Sequence, residues 1–416
     1  MNNITRSLFC SLILVFFATG VSFGAGFRLP EQGAKAMGMS MAWSAQASDP
    51  SAIYYNPAGL TQLSGQQVLF GGTLFILPGS EFNGDVVLTS PLGTTRLPTD
   101  ESGKDQELFG PYGYYTHQAS EKLFLGIGIY GPFGLARTYS PTGNIAFKTQ
   151  HVKLITINVN PTVAYRINDY ISVGVGLDFL RGDAELNQII PPIPAPIGFP
   201  GATFHLNGDG DAWGWNAGVL ITPENNIRIG FNYRSGYSLG INGSATSLLG
   251  STGAATQIKL PDVFVAAIAY QTERFTIEFD YDYTHWSDFK TLNISLESDI
   301  IGLGQTFLPL RRSWGDVAAY RLGFRYNFTE KCWGSIGVFY DENPIPEDTH
   351  SALLPDADRP GFSLGAGYQS GKIGVDVAYM LFNHNDRTIS SPPNPDFDGT
   401  WKNQGHLFGI NVSYAF

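Results

Sequence analysis

The strongest constraint on this chain is a two-residue alternation of side chains that recurs in fourteen segments between residues 66 and 416. A strand whose two faces meet different surroundings has this period, because successive Cβ atoms point to opposite sides of the sheet. The clearest case is 275–284: Phe275, Ile277, Phe279, Tyr281 and Tyr283 share one face, and Thr276, Glu278, Asp280, Asp282 and Thr284 the other. The segments lie near 66–76, 107–117, 122–132, 150–166, 169–181, 211–222, 226–240, 256–271, 273–284, 311–329, 333–343, 360–370, 373–384 and 404–416. Six links between them are tight, such as Pro223-Glu-Asn225 and Gly371-Lys372, and seven are long, such as 77–106, 182–210, 285–310 and 385–403. An even number of strands, with short turns at one end and long loops at the other, is the signature of an outer-membrane barrel. Hydrocarbon enforces closure, since water is absent there to satisfy the backbone groups of an open edge. The predicted fold class is all-β, a 14-stranded antiparallel transmembrane β-barrel over residues 65–416.

Composition and the N-terminus separate this reading from a soluble β-sandwich. Charged residues make up 15% of the chain, against about a quarter in soluble domains. Residues 1–24 read as a signal peptide: Arg6 supplies the positive end, 8–18 an apolar core, and Ser22 and Gly24 a cleavage site before Ala25. That core is too short to span a bilayer as a helix, which needs about 20 residues. Cleavage would leave Cys332 as the only cysteine, so no intramolecular disulfide is expected. A net charge of -11 argues against nucleic acid as a partner.

Residues 25–64 do not alternate; they are rich in small residues, with Asp49-Pro50 and Asn56-Pro57 as turns. A barrel of this size leaves a lumen, and the segment is expected to plug it. The inward face is expected to carry Glu278, Asp280, Asp282 and Asp376 against Arg228, Arg234, Arg321 and Arg325, as a network bracing the wall or as an ion-selective constriction. Motifs of catalytic appearance fall inside alternating strands: Gly126-Ile-Gly-Ile-Tyr-Gly131 has no helix after it, and Gly236-Tyr-Ser-Leu-Gly240 and Gly361-Phe-Ser-Leu-Gly365 lack the strand-to-helix turn of a nucleophile elbow. Nothing in these patterns points to an enzyme, a metal or a cofactor.

An ordered set of short motifs is similar to the FadL-type family of outer-membrane transporters for long-chain fatty acids and hydrocarbons. They are Ala25-Gly-Phe-Arg-Leu-Pro-Glu-Gln32, Ala52-Ile-Tyr-Tyr-Asn-Pro-Ala-Gly-Leu60, Gly131-Pro-Phe-Gly-Leu135, Thr156-Ile-Asn-Val-Asn-Pro161, Leu260-Pro-Asp262, Trp286-Ser287, Tyr340-Asp-Glu-Asn-Pro-Ile-Pro346 and Leu354-Pro-Asp-Ala-Asp-Arg359. The resemblance implies a barrel plugged by an N-terminal hatch, 25–64, that moves hydrophobic ligands inward passively. It implies ligand contact at Ala25, Gly26 and Phe27, and a hatch motif at Asn56, Pro57 and Ala58. That motif would sit beside a kink in the third strand that opens the wall, for which Gly126, Gly128, Gly131 and Pro132 are suited.

The apolar stretch with Ile189, Ile190, Ile193, Ile197 and Phe199 is expected to help gather ligand at the extracellular end. Lys290, Arg311, Arg312 and Arg359 are cations near loop ends that a carboxylate would seek, and the sequence favours none of them. Expected partners are long-chain fatty acids or aromatic hydrocarbons, and lipopolysaccharide with outer-membrane lipid around a monomeric barrel. Two alternatives stay open at this point: a general porin for polar solutes, and an adhesin or structural protein of the outer membrane.

Overall fold

The computed structural model describes residues 26–90, 93–190, 202–300 and 306–416. The expected signal peptide, Ala25, Ile193, Ile197 and Phe199 lie outside the described residues. Nineteen strand segments hydrogen-bond into one sheet, and collinear neighbours combine them into fourteen staves. These are β1 (Gln66–Leu77), β2 (Gln106–Gln118), β3 (Leu123–Tyr130 and Gly134–Thr138), β4 (His151–Arg166), β5 (Ile171–Ile190), β6 (Ala202–Glu224) and β7 (Ile227–Arg234 and Tyr237–Ser247). The ring continues with β8 (Gly250–Leu260 and Asp262–Gln271), β9 (Phe275–His285 and Thr291–Leu296), β10 (Phe307–Arg311 and Val317–Asn327), β11 (Cys332–Asp341), β12 (Arg359–Ser370), β13 (Ile373–Asn383) and β14 (Gln404–Ala415). Each stave runs antiparallel to the next, and β14 closes on β1 from Gln67↔Ala415 to Ile76↔His406.

All fourteen expected strands are present, and the alternation has the expected sense. On β9 the Phe275 face looks outward, while Thr276, Glu278, Asp280, Asp282 and Thr284 are buried inward. The outward face has little polar character because its solvent is lipid. Several expected loops contain strand. The link 241–255 is a hairpin extension, with Tyr237–Ser247 paired to Gly250–Leu260. Most of 182–210 is also strand: Ile189 and Ile190 end β5 and pair with Thr203 and Ala202 of β6. Exposed hairpin strands escaped the sequence reading because a strand outside the membrane needs no apolar lipid face.

Above the barrel, at the long-loop end, a four-stranded sheet joins Glu81–Ser90, Gly93–Ser102, Arg387–Ile389 and Phe397–Lys402. Phe82, Val86, Tyr139, Ile145, Phe397 and Trp401 form its core.

Residues 26–63 contribute two short helices, α1 (Ala34–Met37) and α2 (Ala52–Tyr55), and a 3-10 turn over Pro57–Gln62. Nearly every residue of this segment is buried, and its contacts are with inward-facing wall residues. Inward glycines allow the approach: a Cβ at Gly174 would collide with the backbone of Pro57 and Ala58, and one at Gly230 with that of Ser44. Both sites lie in the half of the lumen nearer the tight turns, called the lower half below.

Candidate functional site

Where the segment rises toward the long-loop half, Phe27 enters a box of aromatic rings. Its ring centroid lies 4.8 Å from Trp286, 5.7 Å from Trp314, and 6.2 Å from both Phe133 and Phe289. Edge-on aromatic pairs at such distances add about 0.5–1.5 kcal/mol each beyond their buried area. Gly26 has φ +66°, and a Cβ there would strike the Trp286 ring, so chain and box fit only without a side chain. Its N–H donates to Asp356 at 2.9 Å. The expectation for Phe27 and Gly26 thus falls on a packed, polar-anchored stretch of chain.

Above Phe27 lies a cavity, open at its mouth. Its walls are apolar: Leu135, Leu154, Leu206, Ile241, Ile258, Leu292 and Ile294 from the staves, and Ile345 and Leu354 from the loop 342–358. Two cations also line it. Lys153 is paired with Glu185 at 3.0 Å. Arg312 is buried, and among the described residues no carboxylate or carbonyl accepts from its guanidinium. Its backbone is fixed by Lys290 (N–H to O, 2.7 Å) and by the Thr349 hydroxyl. Burial lowers its pKa to about 10, partly offset by Asp396. Of the other cations considered, Arg311 pairs with Asp348 at 2.8 Å and Arg359 with Asp341. The sequence could not separate these neighbours, because pairing depends on loops that meet only in the fold.

The third stave is broken at 131–133. Below the break β3 pairs with β2 from Gly113↔Ile129 to Gln118↔Phe124. Above it, Gly134–Thr138 pairs with β4, and among the described residues Gln106–Tyr112 of β2 has ladder partners on β1 only. Lys104 N–H bonds Thr138 O at 2.8 Å and closes the frame of this wall window at the top. The N-terminal segment satisfies the freed backbone of β3: Leu29 N–H donates to Pro132 O (2.9 Å), Gly134 N–H to Phe27 O (3.0 Å) and Gln32 Nε2 to Gly131 O (2.7 Å). Gly131 and Pro132 sit at the break, whereas Gly126 and Gly128 lie in the regular ladder below, with Ile53 packed on both.

The Asn56-Pro57-Ala58 motif lies elsewhere than expected. Instead of flanking the break in β3, it packs on Gly174 of β5 and Gly218 of β6. Asn56 Nδ2 donates to Ser44 O (2.8 Å) and Val219 O (3.1 Å), and its Oδ1 caps Ala58 N–H at 3.1 Å, ahead of Pro57 at the start of the 3-10 turn. Gln32 makes the contact at the break. Ile190 joins an apolar cluster with Phe204, Ile294 and Ile300, and neither Ile189 nor Ile190 lines the cavity.

The expected wall-to-wall ion network is also redistributed. Arg321 does pair with Asp282 (3.1 Å), and also with Asp341 (2.9 Å). The remaining charges turn elsewhere: Arg234 to Asp178 (2.6 Å), Arg228 to Gln62, Asp376 to Lys35 (3.9 Å), and Arg325 over the Trp43 and Trp333 rings.

A closed, lipid-facing barrel with an occupied lower lumen and an apolar upper cavity defines a class, the plugged outer-membrane barrels. Residues 15–416 match the family described as "Outer membrane protein transport protein (OMPP1/FadL/TodX)", and the chain belongs to that family, whose members are outer-membrane transporters of hydrophobic compounds. It is 26% identical over 432 residues to a long-chain fatty acid transport protein of Salmonella typhi, covering 95% of each chain. Among solved structures it resembles a Pseudomonas aeruginosa FadL homologue (TM-score 0.84, 20% identity, 94% of this chain and 100% of that one). It also resembles the Pseudomonas putida toluene transporter TodX (TM-score 0.74, 17% identity, 94% and 99%).

Proposed function

We propose that this protein takes up long-chain fatty acids passively across the outer membrane, through the upper cavity and the window in β3, with residues 25–64 as a hatch below. The observation that carries this reading is Arg312, a buried cation on the wall of a mostly apolar cavity that, among the described residues, has no carboxylate in ion-pair contact. An aromatic hydrocarbon has no use for such a group, and leaving it unpaired is costly. A fatty acid carboxylate satisfies it, while the alkyl tail lies along Leu154, Ile241 and Ile258 toward Phe27. Ligand pockets are commonly of this kind, apolar with a few polar anchors. Departure through the wall then avoids the polar lower lumen.

The test is saturable binding of a long-chain fatty acid to the detergent-folded protein, with toluene as competitor. Binding weakened by Arg312→Met and by Phe27→Ala, and resistant to toluene, is the expected result. Displacement by toluene with indifference to Arg312→Met would transfer the cavity to aromatic hydrocarbons.

A further inference from the structure

Glu278, Asp280 and Asp282 are successive inward residues of β9, side by side on one face of the strand. Asp282 has conventional partners, the guanidinium of Arg321 at 3.1 Å and that of Arg28 at 3.2 Å. Glu278 and Asp280 are fully buried, and among the described residues no cation lies within ion-pair distance of either. They accept instead from four consecutive backbone amides of the N-terminal segment. Trp43 and Ser44 N–H donate to Asp280 Oδ2 at 3.2 and 3.1 Å, and Ala45 and Gln46 N–H to the two Glu278 oxygens at 2.6 and 3.1 Å.

Consecutive amides converging on one side form a concave anion seat, and hydrogen bonds to a carboxylate are stronger than neutral ones. The segment is shaped to present them: Ser40 (φ 55°) and Met41 (φ 62°) turn the chain before the four amides, and Ala47 (φ 38°) turns it after them. These are non-glycine residues in a sparsely populated region, held there by their surroundings. Two staves away on the same wall, Gly230 of β7 leaves room for the Ser44 carbonyl.

We propose that Glu278 and Asp280 are a carboxylate latch that holds the middle of the N-terminal segment against β9 and keeps the lower lumen closed to ions. The proposal rests on the reading of that segment as a hatch. Because the wall grips backbone rather than side chains, the latch fixes the position of 43–46 whatever their residue types. Release would also leave two neighbouring acids without their donors, so latch and closure fail together.

The experiment uses the full-length folded protein carrying Glu278→Gln and Asp280→Asn, with Asp209→Asn, an exposed acid paired to Arg181, as the charge-matched control. Each amide side chain keeps one acceptor oxygen and adds donors that oppose the backbone N–H groups. Hydrogen–deuterium exchange at 43–46 should quicken at least about tenfold, with the 318–326 ladder unchanged, and planar bilayers should pass from quiet to bursting conductance. The single variants sharpen the test and serve if the double variant does not fold: Glu278→Gln should release Ala45 and Gln46 only, and Asp280→Asn Trp43 and Ser44 only. Unchanged exchange at these four amides overturns the latch. Faster exchange with a quiet bilayer overturns its sealing role. Fatty-acid binding measured on the same preparations reports separately on the transport reading.

Discussion

The two halves of the lumen are built from one β-scaffold and solve opposite problems. In the lower half, inward glycines and charged side chains meet a folded segment of backbone: Gly174 and Gly230 admit main chain, and Glu278 and Asp280 bind main-chain amides. In the upper half, inward leucines and isoleucines meet one another across a space that no segment among the described residues fills. A polar interface that satisfies its own backbone excludes apolar cargo, whereas a mostly apolar wall with few polar anchors invites it. Phe27 stands at the boundary, packed on Trp286 and bonded by its carbonyl to the broken stave. The comparison teaches that the lumen is a dead end for an apolar solute moving straight down.

The sharpest way to break this contrast is to give the upper half the polarity of the lower. Ile241→Asp puts an unpaired carboxylate into the cavity wall and should abolish fatty-acid binding, by about a hundredfold or more in Kd. Tryptophan fluorescence quenching by the ligand reads it. If binding survives, the cavity is not the site.

Next in size is the anchor. Charged hydrogen bonds contribute about 1.5–3 kcal/mol, so Arg312→Met should weaken fatty-acid binding roughly tenfold to a hundredfold while leaving neutral apolar ligands unaffected. The same group predicts a pH dependence. Arg312 must be protonated to hold the carboxylate, and its pKa is about 10. Affinity should therefore stay level from neutral pH upward and decline only as pH rises past that value, a profile that titration calorimetry at fixed ionic strength would record.

A smaller effect tests the lower half. Gly230→Ala drives a methyl into Ser44 backbone, while an added Cβ at Gly240 on the same stave would meet no heavy atom within 4 Å. Overpacking of this kind costs about 1–3 kcal/mol, so Gly230→Ala should loosen the segment to protease and Gly240→Ala should not.

The smallest effect concerns the cap above the cavity. His350 is buried on Trp401, and burial first, then Arg387, hold its pKa well below the ordinary histidine range. Its contribution to stability is therefore full above about pH 6.5 and erodes as pH falls below that, because the unfolded loop takes up a proton that the folded loop refuses. Limited proteolysis of 342–358 should speed up at pH 5 relative to pH 8, and His350→Phe should remove the difference.

The barrel was legible because lipid on one side and a polar plug on the other impose a strict period on every stave, and because the six tight turns mark the staves' lower ends. Glycines of the inward face were visible as a pattern, but their partners were not, since Gly174 meets Pro57 across more than a hundred residues of chain. The break in the third stave was expected from the family resemblance, and Gly131 and Pro132 were two of the four residues named for it, since Pro lacks a ladder donor and Gly weakens pairing. The true neighbours of Asn56, the lack among the described residues of an acceptor for the Arg312 guanidinium, and the amides that meet Glu278 and Asp280 were not readable. Each depends on which groups come within about 3 Å after the ring closes, and identical side chains such as Arg311 and Arg312 part company only there.

The most direct test of the central claim is a crystal structure with a long-chain fatty acid brominated at its tail end. The account predicts anomalous signal beside the Phe27 ring, with carboxylate density within hydrogen-bonding distance of the Arg312 guanidinium. Bromine in the lower lumen among Trp43, Arg325 and Trp333, or a carboxylate remote from Arg312, would contradict it.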